Sequence, residues 1–459
     1  MLASNRNSSE NTPTTSVTIF PEIPPISRHS LIKSSFDASE DPKDVDEGQD
    51  DEEHWGKDGG KDYPEGGYGW VVVAACFAMH FTFFGTIHVW GILQHAYLHG
   101  PFEGQISDTA LALVGTLQPG IRNLFSILAG TLASVFGFRP VLLLGSTIAS
   151  AGYLTASFVS HPLHLIPTQG IMVGLGGAFI FVPLLSVPSH WFLRKRALVA
   201  GIGVAGAGSG GLTMAAVVER LLRAVGIIWT LRILAIILFS VGIVCSFLII
   251  PRLPSRRETI FRRSTLDGVW SMRFFCLTGA ISLFYLIDFI PLFVLPAYAL
   301  FIGENEEKSA LALGILNITQ AIGRIASGWV GDKFGRINTL ILILGMSGVT
   351  CFALWIPANN YAVLMVFSCV FGLFSGGVTS LGVSVIPDLY GIDRTATYTG
   401  LVFGVSGIPI LIGDPVSEAI RQRFGYEASK ILCGTGLVLA AALAIGLRIT
   451  FSTRWKSRV

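Results

Sequence analysis

The sequence predicts an all-α membrane protein, with twelve transmembrane helices in two pseudo-symmetric six-helix halves. Three observations carry that prediction. Charged residues make up only 14% of the 459, against 51% hydrophobic, whereas a soluble domain has about 25% charged. The apolar residues gather into twelve runs, each near the ~20 residues that cross a bilayer as a helix. The runs also repeat. Gly130 and Gly137, after the second run, stand 198 positions before Gly328 and Gly335, after the eighth, and Arg196 stands 198 before Arg394.

In chain order, residues 1–66 come first and hold 15 of the 30 acidic residues. This stretch is rich in Ser and Pro and has no sustained apolar periodicity, so it is expected to be a disordered cytosolic tail. No secretory signal opens the chain, because the first apolar run begins near Tyr68. Insertion is then expected to be directed by the first span itself. The N-terminal half, 67–251, holds runs at 68–93, 108–132, 139–159, 164–188, 198–219 and 229–250. A polar loop, 252–270, follows. The C-terminal half, 271–450, holds runs at 271–297, 309–330, 337–356, 361–386, 396–416 and 429–450, and a short basic tail, 451–459, closes the chain.

Lys and Arg in short flanking segments set orientation. With the N-terminus inside, the inner segments carry 17 basic residues and the outer loops seven. Both termini and the 252–270 loop are therefore expected in the cytosol, with the chain multi-pass in the cell membrane; an internal membrane such as the vacuole's is the alternative.

Several chemistries find no support. The six cysteines, Cys76, Cys245, Cys276, Cys351, Cys369 and Cys433, all lie in apolar runs without metal-ligand spacing. No Gly-x-x-x-x-Gly-Lys-Ser/Thr loop is present to cradle ATP phosphates. No nucleophile–base constellation stands out. The expectation is a protein with no metal, no cofactor, no catalytic residues and no nucleic-acid partner, whose partners are the lipid bilayer and a small solute.

Two sets of motifs narrow the class. Gly328-Trp329-Val330-Gly331-Asp332-Lys333-Phe334-Gly335-Arg336 resembles the signature loop of the major facilitator superfamily. Its logic is readable: Gly328 lets helices approach, Asp332 suits a cation or a helix N-terminus, and Gly335 makes a tight turn. Such a loop would latch one side of the carrier, with Gly328, Asp332, Lys333, Gly335 and Arg336 as its parts. In the first-half copy Ser134 stands where the acid would be. Pro64-Glu65-Gly66-Gly67-Tyr68-Gly69-Trp70 and Trp191-Phe192-Leu193-Arg194-Lys195-Arg196-Ala197, the latter running into Gly201, Gly203, Gly206, Gly208, Gly210 and Gly211, resemble hallmarks of the monocarboxylate porter family in its fungal branch. Each also has a plainer reading, as interface anchor or close-packed face.

Ionisable groups within spans are costly and therefore candidates for function. Arg324 matches the position at which the family holds a substrate carboxylate, a task that suits a two-pronged guanidinium. Gln320, one turn earlier, stands where animal members have an aspartate. Asn317, on the same span, joins the substrate-facing set, and its sequon lies inside the span, where glycosylation is not expected. Arg122 is a cation in mid-span two. His88 stands where animal members have a lysine, and with Asp288 and Asp414 it is a proton-coupling candidate. Each of these residues also has a structural alternative, an internal pair or a hydrogen-bonded packing residue.

The resemblance implies a secondary active or facilitative transporter of organic anions. The missing acid at Gln320, and aromatic residues such as Phe84, Trp90, Phe284, Tyr285 and Phe289, lean toward a larger carboxylated metabolite and toward export. Uptake of a small monocarboxylate or a vitamin such as riboflavin is the alternative. A non-transporting receptor built on a carrier fold is a third.

Overall fold

The computed structural model describes residues 63–252 and 268–451. Most of the acidic tail, most of the 252–270 loop and all of the basic tail but Phe451 lie outside the described residues. Every regular element among those residues is helical. In chain order the spans are α1 Gly69–Leu98, α2 over 108–136, α3 Phe138–Ala156, α4 Pro162–His190, α5 over 196–225 and α6 over 227–248. Then follow α7 Met272–Phe301, α8 Glu306–Phe334, α9 Arg336–Trp355, α10 Tyr361–Tyr390, α11 Ile392–Phe424 and α12 Tyr426–Ile449.

Nine continuous helices among the described residues are long and apolar enough to cross a bilayer. One of them, the 53 residues Arg196–Leu248, is two spans, because Gly226 (φ 72°, ψ 174°) turns the chain back. A side chain is strained at that φ, so glycine is the residue that permits so tight a reversal. The 19-residue α3, and α2, which is interrupted at Phe125 (φ −80°, ψ 0°), complete the twelve. The repeat is visible in the backbone as well. Gly137 and Gly335 both take positive φ, 87° and 100°, at the equivalent α2–α3 and α8–α9 turns.

Polar side chains satisfy free amides where spans begin. Ser271 accepts from Phe274 N, Asn305 from Lys308 N and Asn360 from Val363 N, as helix N-caps do. Inside the membrane several spans bend at identifiable places. α1 widens into a π-turn at His80–Phe84, and α11 breaks at Ser406. Such departures are frequent at functional sites. Large apolar residues such as Ile236, Phe247, Leu342 and Val366 stay exposed, because their solvent is lipid rather than water.

Two seams join the halves, and both are lined by glycine. Along the α5–α8 seam, a Cβ on Gly201 would lie 2.2 Å from Arg324 O, and one on Gly328 would lie 2.4 Å from Ala197 O. Along the α2–α11 seam, a Cβ on Gly130 would lie 2.4 Å from Ala396 O, and one on Gly400 would lie 2.4 Å from Ser126 O. Backbone therefore touches backbone, as small residues allow in lipid. The glycine-rich face of α5 serves a second neighbour too: Gly206 and Gly210 admit the Phe77 and Phe81 carbonyls of α1.

Candidate functional site

Two guanidinium groups lie at the interior, one from each half, within electrostatic range of each other. The break of α2 at Phe125 follows directly on Arg122, whose guanidinium carbon sits 4.6 Å from the Phe181 ring centroid and 5.5 Å from that of Phe84. Its Nε donates to Asn123 Oδ1 at 2.9 Å, and Asn123 Nδ2 donates to Ser406 Oγ of α11 at 2.9 Å. Arg324 of α8 donates from Nη1 to Val204 O of α5 at 3.1 Å, while its buried Nε has no hydrogen-bond partner. Asp288, between the two segments of α7, is within electrostatic range of both arginines. Among the described residues no carboxylate reaches ion-pair distance of either guanidinium.

Aromatic rings bridge the halves beneath Arg122. Phe84 and Phe181 meet edge-on at 5.7 Å, Phe181 and Phe403 at 5.4 Å, and Tyr285 and Phe403 at 6.0 Å. The Tyr285 hydroxyl shares a hydrogen bond with Thr379 Oγ1 at 3.0 Å. These four rings form a buried apolar cluster with a cation at one edge. Phe181 and Phe403 were not singled out in the sequence, because a phenylalanine in an apolar run carries no mark that separates it from lipid-facing neighbours.

The other expected residues fall in different places. His88 is exposed, packs on Gly211 and is within electrostatic range of both arginines. Gln320 is buried, and its amide donates to Ser375 Oγ of α10 at 3.3 Å, which places it in the α8–α10 packing. Asn317 is half-buried and donates to Leu313 O within its own helix. The Asp414 side chain lies outside the described ones. His80 is buried, bonded to Cys76 O at 2.9 Å and set against Phe84, the surroundings of a packing residue.

At one end of the molecule the signature loop makes a bonded network across the halves. Asp332 accepts from Ala197 N at 3.0 Å and Leu198 N at 2.8 Å, the first turn of α5. A carboxylate there meets unpaired amides and the positive end of the helix. Arg336 donates to Asp332 Oδ1 at 3.1 Å, to Leu193 O at 2.6 Å, and to both oxygens of Asp388 at 2.8 and 2.6 Å. Arg196 completes it with a 2.6 Å bond to Asp388. Asp388, at the end of α10, was not singled out in the sequence; the available signal was an acid at the end of an apolar run, beside the α10–α11 turn. Lys333 stands apart from the network, its ammonium 3.7 Å from the Trp329 ring centroid.

The two hallmark segments also meet here. The ring centroids of Tyr68 and Trp191 are 5.7 Å apart, and those of Trp70 and Phe192 are 5.2 Å apart. A Cβ on Gly69 would lie 2.8 Å from the Phe192 ring, so only glycine lets α1 start this close to the α4–α5 turn.

Comparison with known proteins agrees with this architecture. The model of the Major Facilitator Superfamily matches residues 70–318 and 277–456. The MFS transporter asaE of Aspergillus flavus is 31% identical over 84% of this chain and 88% of its own length. Monocarboxylate transporter 13 of Rattus norvegicus is 28% identical over 85% of this chain and 91% of its own. A bacterial homologue of the iron transporter ferroportin, crystallised in an outward-facing state, superposes with a TM-score of 0.66 at 15% identity, over 83% of this chain and all of that one. Twelve spans in two related halves, a bonded network across the halves built on the signature loop, and the family match together lead to one conclusion: the chain belongs to the major facilitator superfamily of membrane transporters.

Proposed function

We propose that this transporter carries organic anions, specifically a monocarboxylate with a sizeable apolar body. One observation supports the reading above the others: two interior guanidiniums face one nearby acid, Asp288, with no ion pair among the described residues. Buried like charges in lipid surroundings are unfavourable unless a counter-charge joins them. Two cations and one acid leave room for a single negative charge, and a solute carboxylate supplies it. Arg324 would take the carboxylate in a two-pronged grip, with its unbonded Nε as one donor. The Phe84–Phe181–Phe403–Tyr285 array would hold the apolar body. The relatives named monocarboxylate transporters support the same class.

The test is binding and flux with purified protein. A set of aryl and alkyl monocarboxylates, each paired with its neutral amide, is screened for thermal stabilisation and then for counterflow in proteoliposomes. Carboxylates are expected to stabilise and exchange, and the amides to do neither. Arg324→Lys keeps the charge but loses the fork, so affinity should fall about tenfold, and Arg324→Ala should stop flux at normal membrane levels. Equal response to acid and amide would end the proposal. Loading from either side in the same vesicles gives the direction of transport.

A further inference from the structure

We propose that Glu65, in the segment before α1, is a positioning residue of the cross-half latch. It holds the start of α5 where Asp332 and Arg336 of the other half engage it. Glu65 is the only non-glycine among the described residues with positive φ, at 50°. Such a backbone is sparsely populated for a residue with a Cβ and persists where the surroundings over-determine it. What fixes it is its own side chain. Oε1 accepts from Leu193 N at 2.8 Å and from Arg194 N at 2.6 Å.

The same short segment carries the latch. Leu193, whose amide is held by Glu65, accepts Arg336 Nη2 on its carbonyl at 2.6 Å. Ala197 N and Leu198 N, a few residues on, are held by Asp332. Residues 193–198 are thus gripped by one carboxylate from the segment before α1 and by an acid and a guanidinium from the C-terminal half. Aromatic packing of Tyr68 on Trp191, and the bond from Tyr68 Oη to Leu248 O at 2.8 Å, already tie α1 to this region. The Glu65 grip adds orientation: with both amides turned toward Glu65, the Leu193 carbonyl points at Arg336. Releasing the amides frees that carbonyl to turn away, and the closed latch loses a charge-assisted bond.

The inference holds whichever solute crosses. It is tested by distance measurement on the full chain. Spin labels are placed at Phe136→Cys and Phe334→Cys, exposed positions at the equivalent ends of α2 and α8, after Cys369→Ser removes the exposed native thiol. Glu65→Ala is expected to raise the long-distance, latch-open population about tenfold relative to the closed one, the weight of one charge-assisted bond. Glu65→Gln keeps a carbonyl oxygen for both amides and should hold the parent distribution. Asp332→Asn should open the latch as well, and Glu65→Ala in that background should add little, because both act on the same segment. A folded Glu65→Ala protein with the parent distribution, or full additivity with Asp332→Asn, overturns the proposal. Should Glu65→Ala not fold, Glu65→Asn replaces it: it tolerates the left-handed backbone but is one methylene too short to reach. Failure of both beside a normal Glu65→Gln makes Glu65 a folding residue and likewise overturns the proposal.

Discussion

Arg122 rests over two rings and donates a hydrogen bond to Asn123, so its position is set by its neighbours as much as by charge. A desolvated cation over an aromatic ring is worth about 2 kcal/mol. Arg122→Lys keeps the charge and gives up the stacked plane; affinity for a carboxylate solute is expected to drop about tenfold at unchanged surface level. Phe181→Leu should reproduce part of that loss, and undiminished affinity in both variants, measured by counterflow, would remove the ring from the site. At this scale charge was legible in the sequence and packing was not. Arg122, Arg324 and Asp288 stand out because ionised groups in lipid are rare. Gln320 is a substrate candidate because it stands where animal members have an aspartate, one turn before Arg324; its amide donates to Ser375, a partner 55 residues away that no local pattern announces.

The glycines of α5 and α8 make elements that touch through backbone. Gly201→Val would place branched carbons against the Arg324 carbonyl, which a Cβ already approaches to 2.2 Å. The seam must then part, so transport is expected to fall by about two orders of magnitude while helix content holds; overpacking of this kind commonly costs 1–3 kcal/mol. A wild-type rate in that variant would show that the seam yields freely. Gly226→Ala acts differently. It forces a side chain into φ 72°, at a cost of about 1–2 kcal/mol, and should lower the melting temperature by a few degrees with transport per folded molecule unchanged. The glycine-rich face of α5 was plain in the sequence, but its division between α1 and α8 was not, because spacing gives the face and not the neighbours. Nor did the sequence mark the breaks at Phe125 and Ser406, since neither position is a proline.

Across the whole molecule the halves are held at one end by charge and along their length by small residues. Asp332→Asn removes the charge set against the start of α5 and leaves Asp388 as the acid that pairs with Arg336. Breaking one partner of a buried ionic network costs about 3–5 kcal/mol, so the closed state should be depleted and flux slowed at normal surface level, read from transport and label distances together. The excess of basic residues on one side predicts that both termini face the cytosol; tags at either end should resist protease in intact cells and yield after permeabilisation. The twelve spans and the 198-residue repeat were legible from hydropathy and glycine spacing. Their pairing across the halves was not, since nothing along a chain says which two of twelve similar helices will touch.

The repeat is imperfect in one respect that bears on the order of events. The α5–α8 seam ends in the Asp332 cap, whereas at the equivalent place on the α2–α11 seam stands Ser134, whose hydroxyl donates to Thr131 O in its own helix. One edge of the closed end is therefore clamped by a carboxylate set against helix amides, and the other has a neutral hydroxyl in that place. The two edges should part unequally, because the carboxylate cap has to break on the α5–α8 side alone. The carrier would then open as a door eased on one side before the other rather than as a pair of jaws.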